Sequence, residues 1–360
     1  MINILIKRLL PILNLVFLVF FLTESGSLEA QNSKVPKKNI LVVFYNVENL
    51  FDTIDDPTKN DNEFLPSGKK EWNTEKYLDK TEKLSQVLSS IDSRKNPDII
   101  GLCEIEDAVV IQDVITKNNL SKTKYSIVHF ESPDRRSIDV ALVYNTQKLQ
   151  LLHKQKILVA LQNDPDFKTR DILYVKLYHK SLKDTFNIFV NHWPSRSGGQ
   201  EKSEHKRIAA AKRLKQLTDS LFSVSNSPNI IIMGDFNDEP NNMSIQQILN
   251  ALPTDTTLVK NHLYNTAYSP FRQQTGSYYY SREKKWNMLD QIILSGNLLS
   301  NDGKIVAWKT TQEIFKPEWI LYTDKNGTKS PSRTYGGKYF GGYSDHLPVY
   351  IYFTLTRKTK

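Results

Sequence analysis

The sequence predicts an α/β fold in which two packed mixed sheets, largely antiparallel, lie between outer helices. Three observations carry this prediction. Apolar runs such as ILVVFY at 40–45, DIIGLC at 98–103 and NIIIMG at 229–234 are unbroken, as in strands buried on both faces. From Tyr125 to His192, β-like runs follow one another without a helical stretch between them, which calls for antiparallel pairing. Helical periodicity is confined to a few segments flanking the runs, so two similar halves put their helices outside the sheets. With 39% hydrophobic and 24% charged residues over 360 positions, the composition is globular and excludes a disordered chain. A prior of about 150 residues per domain would divide the chain in two. No linker separates its motifs, however, and residues 39–360 read as one domain.

Residues 1–30 carry Lys7 and Arg8, an apolar stretch from Leu9 to Leu22, then small and polar residues to Ala30, the order of a secretory signal peptide. The apolar stretch is shorter than the ~20 residues that span a bilayer, and it contains Pro11 and Asn14, which disfavours an uncleaved anchor. Export to a periplasmic or extracellular location is therefore expected. Residues 31–38 form a polar lead-in to the first strand, ILVVFYN. Residues 52–73, rich in Asp, Asn, Lys, Gly and Pro, read as a long excursion before a helix starting near Thr74, where Tyr77, Leu84, Val87, Leu88 and Ile91 recur at helical spacing. PDIIGLC is a second strand and Asp107 to Lys117 a helix. YSIVHF, IDVALVYN, LQLLHKQKILVA, ILYVKLYH and TFNIFVNH are the successive β-like runs. A helix from Gln200 to about Phe222 shows Ile208, Ala211, Leu214, Leu217 and Leu221 on one side and a basic, solvated face opposite. NIIIMG is a strand, MSIQQIL a short helix, and MLDQIIL and LPVYIYFTL the closing strands. The Tyr278 to Tyr280 cluster and RTYGGKYFGGYSDH are expected as loops near strand ends.

Chemistry gathers where these strands stop. GDFNDEP ends a buried run and presents Asp235 and Asn237 to one side, with Phe236 turned the other way. A carboxylate can orient or deprotonate a water, and an amide can hold a phosphoryl oxygen whose charge grows in the transition state. Taken alone, the segment reads equally well as a polar turn. YSDHLP brings an Asp-His pair to a strand start, and because an ordinary histidine titrates near neutrality, His346 is the acid-base candidate. Asp290, on WNMLDQIIL, is the candidate carboxylate that orients His346, leaving Asp345 for a metal. Glu104 emerges from PDIIGLC as a lone carboxylate suited to a hard cation. Asn46 either joins that ion or hydrogen-bonds Glu104. His192, followed by Trp193-Pro194-Ser195-Arg196, donates a proton or a hydrogen bond to phosphate, and Arg196 adds fixed positive charge. Arg135 and Arg136 are weaker candidates for the same anion. His129, His153, His179 and His205 sit in strand or helix patterns without chemical company. Cys103, the only cysteine, has apolar neighbours and reads as a buried structural thiol; alone, it permits no intramolecular disulfide.

The ordered set NVENLF, CEIED, IDVALVYN, NHWPSR, GDFND, LDQIIL and YSDHLP resembles the endonuclease/exonuclease/phosphatase superfamily, of the deoxyribonuclease I-like kind, over nearly the whole mature chain. That resemblance implies a four-layer α/β/β/α sandwich, a divalent metal, usually Mg²⁺ with Mn²⁺ or Ca²⁺ as alternatives, and phosphoester cleavage by an activated water. It implies metal roles for Asn46 and Glu104, water and phosphate roles for Asp235 and Asn237, and the closing Asp and Asp-His elements at Asp290, Asp345 and His346. His192 matches a position that is histidine in the secreted deoxyribonuclease and sphingomyelinase branches. The family often has glutamine before the metal glutamate, where this chain has Cys103.

The formal charge of +9 is carried by the domain, because Lys7 and Arg8 cancel Glu24 and Glu29 in the leader. An excess of this size attracts polyanions, although solubility alone accounts for it almost as well. The leading expectation is an exported phosphodiesterase, an endonuclease of low sequence specificity acting on nucleic acid, monomeric and without an obligate protein partner. The alternatives are a sphingomyelinase-like phospholipid phosphodiesterase or a small-molecule phosphatase, and more remotely an inactive binding module. A lipid substrate calls for exposed aromatics on a projecting hairpin, for which Tyr278 to Trp286 is the candidate. Nucleic acid calls for a basic groove, from Lys284, Lys285, Arg196 and Arg333.

Overall fold

The computed structural model describes residues 35, 36 and 38–355; the leader expected at residues 1–30 lies outside them. By compactness the chain divides into residues 1–37 and 38–360, and every described strand and helix lies in the second unit. Among the described residues, no helix is long and apolar enough to cross a membrane.

Among the described residues, eighteen strands form two seven-stranded sheets and two short hairpins. They are β1 (Asn39–Leu50), β2 (Ile99–Ile105), β3 (Tyr125–His129), β4 (Asp139–Asn145), β5 (Leu149–Ile157), β6 (Ile172–His179), β7 (Asp184–His192), β8 (Ile230–Asp235), β9 (Ala251–Pro253), β10 (Leu263–Asn265), β11 (Tyr278–Tyr280), β12 (Lys285–Asn287), β13 (Asp290–Ser295), β14 (Ile305–Ala307), β15 (Glu313–Ile314), β16 (Leu321–Thr323), β17 (Lys329–Pro331) and β18 (Val349–Leu355). The first sheet runs β14-β18-β1-β2-β4-β3, with β15 also on β18. The second runs β5-β6-β7-β8-β13-β10-β9. Of these strands, only β1/β2, β7/β8 and β9/β10 pair in parallel. The sheets are thus mixed and largely antiparallel, as expected.

The alternation of each strand sends one set of side chains between the sheets and the other outward. Ile40, Val42 and Phe44 of β1 share the central core with Ile188 and Val190 of β7, Ile231 and Met233 of β8 and Ile292 of β13. The sheets approach closely at Gly101, where an added Cβ would lie 2.4 Å from Met233 Sδ and 3.1 Å from Phe44 Cδ2. Helices α1 (Thr74–Ser90) and α2 (Ala108–Ile115) pack on each other, and α2 packs on β2, covering the outer side of the first sheet. Asn73 caps α1 by accepting from Lys76 N, and Asp107 caps α2. Helix α3 (Gln200–Val224) lays Ala210, Ala211 and Leu214 on Phe189, Ile230, Ile232 and Ile293 of the second sheet. The layers are therefore α/β/β/α.

Two expectations need correction. The Tyr278 to Tyr280 cluster is not a loop but strand β11, paired in register with β12; three aromatics in a row favour an extended backbone. The buried face of α3 is centred on Arg207, Ala210, Ala211, Leu214 and Thr218, while Ile208, Leu217 and Leu221 are only half-buried. The two alanines let the helix approach the sheet closely, and Arg207 is drawn inside by Asp238, with Nε 2.8 Å from Oδ1. Its guanidinium also donates to Ser203 Oγ and the Gln200 carbonyl. Arg207→Ala would leave the Asp238 carboxylate buried beside an empty space, a loss of about 3–5 kcal/mol. Urea unfolding should then show a lower midpoint at an unchanged slope, and a midpoint equal to wild type would contradict the assignment.

Candidate active site

The ends of β1, β2, β7, β8 and β13 and the segment leading into β18 meet at one edge of the sandwich. In the second sheet His192 pairs with Asp235 and Asp235 with Asp290 across adjacent strands, so three functional residues follow from register alone. In the first sheet Asn46 pairs with Cys103, just before Glu104. One hydrogen bond joins the two sheets here: Asn46 Nδ2 donates to Asp235 Oδ2 at 3.0 Å. The amide thus meets Asp235 rather than Glu104. Its Oδ1 accepts from Glu48 N, which leaves that oxygen one further lone pair.

The backbone at the site is unusual. Glu48, Asn49, Glu104 and Asn237 have φ of 54°, 52°, 62° and 51°, a left-handed region that costs non-glycine residues energy. These turns interrupt the strand alternation, with a register shift between Asn46 and Leu50 and another between Cys103 and Ile105. Contacts hold them in place: Asn49 N donates to Glu104 Oε2 at 3.1 Å, Asn237 N to Asp235 Oδ1 at 2.9 Å, and Asn237 Nδ2 to the Trp193 carbonyl at 3.0 Å. Phe236 is turned away onto Trp193, with ring centroids 4.8 Å apart.

The two histidines face the same carboxylates. His346 Nδ1 lies 2.6 Å from Asp290 Oδ2, and its Nε2 is 3.7 Å from Asp235 Oδ2. His192 Nε2 lies 3.9 Å from Glu104 Oε1 and 3.8 Å from Asp235 Oδ2. Their environments pull them apart. Burial works to lower the pKa of His346, but the charges of Asp290 and Asp235 outweigh it and hold the imidazole well above its ordinary range. Burial, reinforced by Arg170 and Arg136, drives His192 well below it. Burial and the neighbouring Asp290 raise Asp235 to about 6. Burial and the charge of Glu104 likewise raise Asp345. Burial also opposes the charge of Glu104, but Arg136, His346 and Arg170 together overcome it and keep this carboxyl below the usual range.

Cations surround the site, and two of them, Arg170 and Lys80, were not singled out by sequence. Arg136 lies 3.2 Å from Glu104 Oε2 and donates to Asn49 Oδ1, so of the two weaker arginine candidates it is the one at the site; Arg135 turns to the Asp166 carbonyl. Buried Arg170 donates to the carbonyls of His192 and Trp193 and pairs with Asp134 at 2.9 Å, fixing the end of β7. Nothing near KTRDILY signals this, because its partners are distant in the chain. Buried Lys80 of α1 donates to the carbonyls of Glu48 and Tyr343 and to Thr334 Oγ1, tying β1 to the segment that carries Asp345. Glu48 accepts from Thr334 N and Tyr335 N on the same segment. Arg196, expected to add fixed positive charge for phosphate, lies with Nη2 3.7 Å from Asp238 Oδ1. Its Nε donates to the Asn237 carbonyl at 2.6 Å and its Nη2 to Asn242, so it braces the loop after β8. His129, expected to lack company, bonds Asp139 at 3.0 Å. Cys103 is buried, and burial raises its thiol pKa well above the ordinary value.

A model of the endonuclease/exonuclease/phosphatase family matches residues 41–355. The chain belongs to that family. It is accordingly a metal-dependent phosphoric ester hydrolase. Solved structures share the family fold. The human nocturnin catalytic domain with bound sulfate is 18% identical, covering 88% of this chain and 95% of that one at a TM-score of 0.51. A mannosyl-6-phosphatase from Bacteroides thetaiotaomicron is 13% identical, covering 88% and 100% at 0.55. Zebrafish (D. rerio) TDP2 in complex with a single-strand DNA product is 13% identical, covering 88% and 99% at 0.50. No curated protein matches the sequence.

The donor set fits the divalent ion that the family uses. Oxygen dominates it, which suits hard cations. Ligand atoms of Asp235, Asp290 and His346 lie within 4.8 Å of one another. Asp290 Oδ1 and His192 Nδ1 are buried without a hydrogen-bond partner among the described residues. Burial, together with the charge of Asp290 on Asp235 and of Glu104 on Asp345, pushes both carboxyls toward protonation, a strain that a cation relieves.

Proposed function

We propose that the protein is an exported Mg²⁺-dependent phosphodiesterase, a nuclease of low sequence specificity, with residues 39–360 as its catalytic domain. The observation that supports nucleic acid is a pair of half-exposed positive charges at the site. The side chains of Arg136 and Arg333 are 47% and 46% exposed while bridging Glu104 and Asp345, so either can turn to a substrate phosphate. A nearby cationic feature points the same way. The β11/β12 hairpin has an exposed tip, residues 281–285, with Arg282, Lys284 and Lys285 outnumbering Glu283, which pairs with Lys285 at 3.3 Å, while Tyr279 packs on Trp286. A charged tip is poorly suited to entering lipid, which weighs against a sphingomyelinase-like activity.

In the proposed mechanism Glu104 and Asp345, with Asn46, hold the metal, which when bound polarises the phosphoryl oxygens. Asp235 orients the attacking water. The His346–Asp290 pair stands beside Asp235 to exchange the proton, with Asp290 fixing the imidazole through Nδ1. Asn237 and His192 donate to phosphoryl oxygens whose charge grows, Arg170 keeping His192 in place.

A substrate panel tests the reading. Mature protein with Mg²⁺ should cleave single-stranded DNA, duplex DNA or RNA faster than sphingomyelin or inositol phosphates. That activity should fall steeply between about 50 and 200 mM salt. Preferred turnover of the lipid or of inositol phosphates would overturn it. Expression of the full chain should release protein lacking residues 1–30 outside the cytoplasm.

A further inference from the structure

Beside the carboxylates lies a pocket of about 130 Å³ whose aromatic end the proposed mechanism leaves unused. Its walls come from the excursion after β1 and from the segment before His346. Phe64, Lys70 and Trp72 stand on one side and Arg333, Thr334 and Tyr335 on the other, with Glu48, Asn49 and Asp345 at the catalytic end. This volume is below the ~300–1,000 Å³ of sites for drug-sized ligands, so it accommodates one ring system and no more.

The state of the lining narrows the ligand. Most polar groups in the pocket are already committed to one another. Glu48 accepts from Thr334 N and Tyr335 N, Thr334 Oγ1 accepts from Lys80, Asn49 Oδ1 from Arg136, and Trp72 Nε1 donates to the Phe51 carbonyl. A sugar ring needs partners for several hydroxyls and would find few. A quaternary ammonium group would meet the Lys70 ammonium, which already lies 3.8 Å from the Phe64 ring centre and 5.7 Å from that of Tyr335. What remains is aromatic surface and two cations that reach the surface, Lys70 paired with exposed Glu63 at 2.8 Å and Arg333 paired with Glu48 and Asp345 at 3.4 and 3.1 Å, pairs that a phosphate can compete for. Phe64 and Trp72 are buried, Phe64 being stacked on Phe51 at 4.1 Å, whereas Tyr335 is half-buried and presents part of its ring.

We infer that this pocket takes a single unpaired nucleobase against Tyr335, with Lys70 and Arg333 holding the adjoining phosphates, and so directs the enzyme to single-stranded nucleic acid. The inference rests on the proposed nuclease activity and deepens it. Stacking on an aromatic ring accepts any base, because every base has a π face, which agrees with low sequence specificity. A base inside an intact duplex cannot enter, because its faces are occupied by its neighbours.

The test is a coupling measurement. Wild type, Tyr335→Ala and Tyr335→Phe are assayed with Mg²⁺ on a single-stranded oligonucleotide, on its duplex, and on a tetrahydrofuran phosphodiester oligomer with the same backbone but no bases. Stacking is worth about 1–3 kcal/mol per base. Tyr335→Ala should therefore raise KM for the base-bearing strand about 5- to 150-fold more than for the baseless one, and Tyr335→Phe should restore most of the difference. Wild type should prefer the single strand to the duplex. Equal effects of Tyr335→Ala on both single-stranded substrates, or an unchanged KM for the oligonucleotide, would overturn the base pocket while leaving the nuclease activity intact. Failure of wild type to cleave any nucleic acid would overturn that activity, and the pocket assignment with it.

Discussion

His346→Ala is expected to lower kcat by at least about 10²- to 10⁴-fold, the usual contribution of a positioned acid-base group. The structure gives reasons to expect the upper end. His346 is buried at 6% exposure and stands between two carboxylates, with Nδ1 on Asp290 and Nε2 toward Asp235. Those two aspartates face each other across β8 and β13, and the imidazole is the cation between them. Its removal takes away the proton-exchanging group and also leaves Asp235 beside an unscreened neighbour, pushing its pKa further up, so the proposed water-orienting group tends toward its protonated form. Two functions fail together. Asp290→Asn removes only the orienting charge and should cost less than the alanine variant. Single-turnover kinetics would separate chemistry from binding, and near-ultraviolet circular dichroism would check the fold. Turnover within tenfold of wild type would remove His346 from the reaction.

Much of this site was legible in the sequence because strand ends are legible. An unbroken apolar run has to stop where the sheet meets solvent, and a polar residue at that stop has nowhere to project but the edge. Glu104, His192 and Asp235 obey this rule, Asp290 instead opens β13, and the register of β7, β8 and β13 then sets His192, Asp235 and Asp290 side by side. The pairing of Asp290 with His346 followed from the need of a buried imidazole for an orienting carboxylate. What escaped were contacts made by long side chains across large sequence distances. Arg170, Lys80 and Arg207 sit in local patterns that resemble solvated faces, and only the tertiary fold brings their acceptors within reach. The bond from Arg196 to the Asn237 carbonyl was likewise hidden, because it depends on the left-handed turn at Asn237 and not on the neighbourhood of Arg196 to His192 in sequence. The direction of Asn46 also depended on the approach of two sheets, a distance no spacing within one strand encodes.

Chelation with EDTA should abolish turnover, and Mg²⁺ should restore it; Glu104→Gln should shift that restoration to much higher metal concentration. The substitution is chosen because Glu104 has two sets of partners. It accepts from Asn49 N and pairs with Arg136, and a glutamine can still accept the first bond while losing the charge. If Glu104 served only to hold Arg136, the variant would weaken substrate binding but leave metal dependence alone. If it holds the ion, the ion's effect on stability must change, because a ligand that binds only the folded state stabilises it in proportion to the logarithm of its concentration over its dissociation constant. That effect is about 2.7 kcal/mol at one hundred times the dissociation constant. Wild-type Tm should therefore rise with added Mg²⁺ in the absence of any substrate, as the repulsion that raises Asp345 and Asp235 is relieved. In Glu104→Gln the same titration should be displaced to higher concentration or lost. A variant whose Tm responds to Mg²⁺ as wild type does, yet whose KM is raised, would assign Glu104 to Arg136 and move the metal to the carboxylates of Asp235, Asp290 and Asp345.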